Sequence, residues 1–215
     1  MKKRIIAVLL FLFSAFYGYS QVSWNVKAGM NLSTITPMDM YEKKAGYQFG
    51  VGMDYYFHSH WGIQPSLMLI SKGYKDEVQF DHWPSDSEWY PYPFVWKSYY
   101  YTENRVYISM PVMLAYRFNL SNTMRLVFNG GGYISYGIAG RIKGEQTLKA
   151  DDSTEKIDYS SFSAGTKRFD TGLGAGTALE FKNRYTLNLF GELGLKNVLG
   201  GTKNRTVGLN VGYKF

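Results

Sequence analysis

Residues 207–215 read VGLNVGYKF and alternate an apolar side chain with a small or polar one, ending on an aromatic residue. Successive side chains of an extended strand point to opposite faces, so one face suits lipid and the other a polar interior. This is the pattern of a strand in a membrane β-barrel. The stretch predicts the closing strand of such a barrel, with Tyr213 and Phe215 as the insertion signal that the barrel-assembly machinery reads.

The first twenty residues have the organisation of a secretory signal peptide. A basic start, with Lys2, Lys3 and Arg4, precedes an apolar run over residues 5–16. The run is shorter than the roughly 20 residues of a spanning helix, so we expect cleavage before Gln21, with an uncleaved anchor as the alternative. The chain then divides into a signal peptide at 1–20 and a barrel domain at 21–215. This predicts the outer membrane of a Gram-negative bacterium, with both termini in the periplasm.

The composition excludes several classes of protein. The chain has no cysteine among its 215 residues, which excludes a disulfide framework, a cysteine-ligated zinc site and a thiol nucleophile. The signal peptide contains three of the 24 basic residues and none of the 17 acidic ones, so the net charge falls from +7 to +4 on cleavage. Without a sustained basic block, nucleic acid is not an expected partner.

Period-two alternation marks eight candidate strands. They span about residues 22–31, 46–57, 61–72, 105–118, 123–136, 169–181, 184–195 and 204–215. The connections alternate between long (32–45, 73–104 and 137–168) and short (58–60, 119–122 and 182–183), with an intermediate one at 196–203. We therefore predict an all-β fold, an eight-stranded antiparallel up-and-down transmembrane β-barrel of the smallest size class. A soluble barrel of the lipocalin type is the alternative, but aromatic residues at the strand ends favour membrane interfaces.

Four segments carry a resemblance to a known family. They read WGIQP at 61–65, ISMPVML at 108–114, GLGAG at 172–176 and NRTVGLNVGYKF at 204–215. In these segments the chain resembles the PorT-like small outer-membrane β-barrel proteins. The resemblance implies the barrel fold. It does not by itself assign the role, for which a component of a protein secretion system is one candidate. Because the segments are barrel motifs without catalytic residues, we expect a non-enzymatic anchor, scaffold or binding protein of the cell envelope.

Inward positions of the predicted strands carry charges of both signs. The predicted lumen network comprises Lys27, Asp54, Arg117, Arg125, Glu180, Glu192 and Lys214. Side chains fill the lumen of an eight-stranded barrel, and buried charges need partners. We therefore expect a structural plug, with a narrow small-solute channel as the alternative.

The predicted loops offer a candidate contact surface. The aromatic residues proposed for extracellular contact are Trp83, Trp89, Tyr90, Tyr92, Phe94 and Trp96. Tyrosine and tryptophan provide rigid area with polar tips, which suits a protein or glycan partner, although packing among themselves is the alternative. The polar segment at 140–167 predicts a mobile external hairpin.

The sequence provides little support for an enzyme. A barrel hydrolase or acyltransferase acting on lipid or peptide at the outer rim needs a histidine beside a nucleophile. His58 and His60 fall in a predicted periplasmic turn, and His82 lies in the second long loop. No nucleophile-elbow or nucleotide-binding motif accompanies them. We expect no catalytic residue, cofactor or metal site, and as partners the lipid bilayer, lipopolysaccharide and an unidentified protein or glycan.

Overall fold

The computed structural model describes residues 22–36, 41–79, 96–148, 152–163 and 165–215. These residues form nine antiparallel strands: β1 Val22–Thr36, β2 Glu42–Tyr55, β3 Trp61–Gln79, β4 Trp96–Asn119, β5 Met124–Leu148, β6 Thr154–Ser160, β7 Phe169–Phe181, β8 Tyr185–Gly194 and β9 Lys203–Lys214. In this part of the chain no helix has the length and apolar character needed to cross a membrane.

Eight of the strands close into a ring. Each pairs with its neighbours in chain order, β5 pairs with β7, and the ring closes where β1 pairs with β9 from Asn25↔Lys214 to Thr36↔Lys203. Closure leaves the ring without an open edge. β6 pairs with β5 alone and extends the sheet outside the ring. The predicted eight-stranded antiparallel up-and-down barrel is confirmed.

The outer surface of the barrel is apolar between two polar ends. On β9 the outward residues Val207, Leu209 and Val211 are about half exposed, whereas the inward Asn210 and Lys214 are buried. One end holds the short turns 56–60, 120–123 and 182–184, and we call it the short-turn end. A ring of aromatic side chains surrounds that end, formed by Trp24, Tyr55, Trp61, Tyr116, Phe181, Tyr185, Tyr213 and Phe215. Such a ring suits a membrane interface.

Several strands run past the apolar belt at the opposite end, which we call the long-loop end. The predicted limits at residues 72, 105 and 136 are wrong, because β3 continues to Gln79, β4 begins at Trp96 and β5 continues to Leu148. The connections are correspondingly shorter, at 37–41 and 80–95. Backbone hydrogen bonds between strands need no lipid, so pairing continues where the outward face has become polar. That change removes the apolar alternation on which the prediction depended.

The extended parts of β3, β4 and β5 form, with β6, a four-stranded sheet beyond the belt, which we call the projecting sheet. It comprises residues 71–79, 96–105, 140–148 and 154–160. A hairpin lies within the predicted segment 140–167, where β5 and β6 pair from Arg141↔Ser160 to Thr147↔Thr154. Only one edge of β6 is hydrogen-bonded to another described strand.

Candidate functional site

The lumen near the short-turn end contains an ion triad assembled from three strands. Lys214 of β9 binds Asp54 of β2 at 2.5 Å and also binds Glu180 of β7. Both carboxylates are almost completely buried. Asn25 donates a further hydrogen bond to Asp54 at 3.1 Å. Buried charges of opposite sign that contact one another avoid most of the cost of isolated burial, so the triad ties opposite walls of the barrel together.

A second triad lies nearer the long-loop end. Lys72 of β3 binds Glu192 of β8 at 2.8 Å and Asp170 of β7 at 3.4 Å, and its side chain is fully buried. The Lys72 ammonium also lies 4.4 Å from the ring centroid of Tyr133, a distance at which cation–π attraction operates. Tyr133 donates its hydroxyl to Asp170 at 3.3 Å. The cluster thus connects β3, β5, β7 and β8 across the lumen.

Arg105 and Glu103 of β4 extend the second triad toward the projecting sheet. Arg105 donates to the Asn204 side-chain oxygen at 3.0 Å, and Asn204 donates to Asp170 at 2.8 Å. Glu103 lies 3.7 Å from Arg105, and neither side chain is accessible to solvent. The polar groups of the second triad are therefore connected to the wall above them.

Amides occupy the lumen between the triads. Gln48 donates to Asn210 at 2.5 Å, and Asn129 donates to Gln64 at 3.3 Å. The cavity left among these side chains has a volume of about 60 Å³. A water molecule takes about 30 Å³ of the liquid, so this space has the volume of about two waters.

The predicted lumen residues divide into two groups. Five of them line the interior of the barrel: Lys27, Asp54, Glu180, Glu192 and Lys214. Arg117 and Arg125 also face inward, and they line a cavity at the short-turn end together with Glu180 and Lys214. Within the described chain, Lys27, Arg117 and Arg125 have no carboxylate within ion-pair distance. The strand register puts Glu180 opposite Arg125, but the Glu180 carboxylate forms its ion pair with Lys214.

The prediction from sequence missed Lys72, Glu103, Arg105 and Asp170. Glu103 and Lys72 lie at or beyond the limits assigned to the apolar strands, where the alternation of hydrophobic residues fades. Asp170 and Arg105 share the inward parity of Gly172 and Tyr107. If the alternation of inward and outward positions is continued beyond the apolar residues, Asp170 and Arg105 both fall in the lumen.

Tyrosines pack together at the long-loop end, close to Asp76 and Glu103. Tyr41, in the β1–β2 connection, packs edge-on against Tyr74 with ring centroids 4.7 Å apart. Partial burial, together with the nearby charges of Asp76 and Glu103, raises the pKa of the Tyr41 phenol above its ordinary value of 10.0. A neutral phenol is therefore the stable form in this mouth.

The remaining predicted residues form no catalytic arrangement in the described chain. Ser59 lies between His58 and His60 in the exposed β2–β3 turn, with hydrogen bonds of 3.2 and 2.8 Å to their Nδ1 atoms. Among the residues described, no three histidine or carboxylate side chains are placed to hold a metal ion. His82 and the predicted contact residues Trp83, Trp89, Tyr90, Tyr92 and Phe94 lie outside the described residues. Trp96, the last of that set, begins β4.

The C-terminal segment closes the ring. Tyr213 pairs with Val26 of β1 and with Tyr185 of β8, so it lies within two ladders. Phe215 donates its backbone N–H to the Trp24 carbonyl at 2.9 Å, while its side chain is 75% exposed. The side chain is thus available to a lipid or protein contact.

Comparison with known proteins identifies the family. A family model described as outer membrane protein beta-barrel domain matches residues 14–200. No curated protein matches the sequence. Among solved structures, Ail, the attachment invasion locus protein of Yersinia pestis, is 17% identical with a TM-score of 0.45, over 91% of this chain and 99% of that chain.

Two further structures show similar coverage. OprG from Pseudomonas aeruginosa is 10% identical with a TM-score of 0.44, over 92% of this chain and 98% of that chain. The outer membrane enzyme PagL is 8% identical with a TM-score of 0.45, over 87% and 97%. The family match covers most of the sequence and agrees with the closed ring, the apolar belt and the aromatic ring described above. The chain therefore belongs to the outer membrane protein beta-barrel domain family.

Proposed function

We propose that this barrel is a non-enzymatic anchor and binding protein of the cell envelope and that its lumen conducts no solutes. The observation that carries the proposal is the closure of the lumen by two ion triads, centred on Lys214 and Lys72. A pore for ions or solutes needs a continuous wet path lined by groups that bind weakly enough to release them. Here each ammonium is bound by two carboxylates, and only about 60 Å³ remains between the triads.

The projecting sheet supports a role in binding. Four paired strands beyond the apolar belt hold the ends of the 80–95 connection on a rigid base. Rigid presentation lowers the entropy cost of forming a contact, and this connection contains most of the aromatic residues predicted to bind a protein or glycan. The PorT-like resemblance makes a protein secretion complex one specific form of the same proposal, which co-purification from detergent extracts would test.

Conductance in planar bilayers tests the closed lumen. We expect no current steps from the refolded wild-type barrel. A variant with Lys72, Asp170 and Glu192 all replaced by alanine, which removes the second triad without leaving a lone charge, serves as the comparison. Regular voltage-independent steps from the wild-type protein would contradict the proposal and favour a small-solute channel.

Cysteine labelling tests which end faces outward, because the chain has no cysteine of its own. We propose that the projecting sheet is extracellular and that the short-turn end is periplasmic. Lys156 in β6 and Asn122 in the β4–β5 turn are both exposed. A membrane-impermeant maleimide should label Lys156→Cys on intact cells and Asn122→Cys only after lysis. The opposite pattern would invert the orientation.

A lipid-turnover assay separates the proposal from the enzymatic alternative. Purified barrel in mixed micelles should leave phospholipid and lipopolysaccharide unchanged. Hydrolysis or acyl transfer that is lost in His82→Ala would overturn the non-enzymatic assignment, because that histidine is the candidate base at the long-loop side.

A further inference from the structure

Two arginines at the short-turn mouth are oriented without a carboxylate partner. Arg117 donates its Nε–H to the Ser59 carbonyl at 2.9 Å, and its guanidinium lies 3.9 Å from the centroid of the Tyr56 ring. These contacts hold the group in place at the lining of the short-turn cavity. The backbone of Arg125 belongs to the ladders with β4 and β7, but its side chain makes no hydrogen bond or ion pair with any residue that the structure describes.

The strand register puts the two arginines side by side. Arg117 of β4 is opposite Val127 of β5, and Arg125 is two residues before Val127 on the same inward face. Diagonal neighbours of this kind are about 7–8 Å apart at their backbones. The two like charges line one cavity and repel each other, and an anion bound between them would be attracted by both.

The charge distribution of the lumen also favours an anion at this end. In the half nearer the short turns, four cationic side chains face two carboxylates: Lys27, Arg117, Arg125 and Lys214 against Asp54 and Glu180. The other half has a smaller excess of the opposite sign, with Lys44, Lys72 and Arg105 against Asp76, Glu103, Asp170 and Glu192. A low-dielectric wall strengthens such a field, so an anion that enters from the short-turn end meets a positive potential.

We propose that the short-turn mouth is a binding site for an oxyanion, either a phosphate or a carboxylate, held between Arg117 and Arg125. The cavity there has a volume of about 340 Å³, enough for a small organic acid or the end of a peptide. Ser23, Ser59 and Asn183 contribute further polar groups to its lining, and the carboxylate of Glu180, which also lines the cavity, is neutralised by Lys214. Arginine presents paired donors that match the two oxygens of either anion. This site is separate from the projecting sheet and independent of the proposed binding role there.

Titration of the intact barrel in nanodiscs, which leave both mouths open, tests the site. The probes are inorganic phosphate, followed by 31P NMR, and a trialanine peptide with a free or an amidated carboxyl terminus, followed by calorimetry. We expect saturable binding of phosphate or of the free-acid peptide, and none of the amidated peptide. Phosphate binding alone would identify a phosphate site, and binding of the free acid alone would identify a carboxylate site.

Charge-neutral variants locate the anion. Arg117→Gln and Arg125→Gln should each weaken binding at least tenfold. Arg184→Gln is the matched control, because Arg184 lies in the exposed turn at the same end but does not line the cavity. A heat-modifiable shift on unboiled gels verifies that each variant is folded. Absence of saturable binding by both probes, or equal losses in Arg184→Gln, would overturn the site without affecting the closed lumen.

Discussion

Replacing Lys72 by methionine removes the only ammonium that contacts both Asp170 and Glu192 in the described chain. The Lys72 and Asp170 side chains have no solvent exposure and that of Glu192 has 8%, and the contacts are 3.4 and 2.8 Å. Breaking a buried pair by removing one partner costs about 3–5 kcal/mol, because the remaining charge stays buried. Arg105 does not compensate for the loss, since it is bound to Asn204. We expect the free energy of unfolding to fall by about 4 kcal/mol.

Urea unfolding in lipid vesicles, followed by tryptophan fluorescence, measures the effect. With a slope of about 2 kcal/mol per molar urea, the midpoint should fall by about 2 M. Lys75→Met is the control, because Lys75 is half-buried on the opposite face of the same strand and belongs to no ion pair of the lumen. A substitution outside the buried network should change stability by no more than about 0.5 kcal/mol. Lys72→Met with Glu192→Gln should recover part of the loss. If Lys72→Met unfolds within 1 kcal/mol of wild type, the triad does not stabilise the barrel.

Three further predictions address the seam, the long-loop mouth and insertion. Gly29→Ala should abolish the heat-modifiable shift on gels. The added Cβ would overlap the Leu209 carbonyl and lie 2.8 Å from the Asn210 Cα across the β1–β9 seam. Gly130→Ala is the control and should keep the shift, because its Cβ would meet no atom nearer than 3.7 Å. Ionisation of Tyr41 should leave the free energy of unfolding unchanged below pH 10 and lower it above pH 10, because the folded state retains the phenol proton that the unfolded chain loses. In urea titrations at a series of pH values, Tyr41→Phe should reduce this fall. Phe215→Ser should lower the amount of barrel in the outer membrane of cells but leave refolding into vesicles unchanged. The Phe215 side chain is exposed, and only its backbone N–H forms a hydrogen bond across the seam. Equal losses in both assays would mean that Phe215 acts on stability and not on recognition by the assembly machinery.

The membrane part of each strand could be predicted from the sequence because its signal is local. Val207, Leu209 and Val211 alternate with polar or small residues such as Asn210. Because successive side chains of a strand point to opposite faces, this alternation identifies the face that meets lipid. The same parity placed Asp54 and Lys214 toward the lumen. Local patterns failed where the outward face turned polar, so the limits of β3, β4 and β5 were drawn too short.

The partners of the lumen charges depend on ring closure. Residues 54 and 214 meet because β1 pairs with both β2 and β9, at a stagger that no single strand encodes. Because of that stagger, Glu180 forms an ion pair with Lys214. Arg125, which is directly opposite Glu180 on the neighbouring strand, is left without a carboxylate partner.

The order of residues along the chain therefore decided the fold, the lipid-facing surface and the inward position of each charged side chain, because the two-residue period of a strand is a property of neighbouring residues. Closure of the barrel decided the rest: which charges neutralise one another, how far the sheet projects beyond the belt, and which arginines remain without a carboxylate. The reason is that the shear of a closed sheet brings together residues that are more than a hundred positions apart.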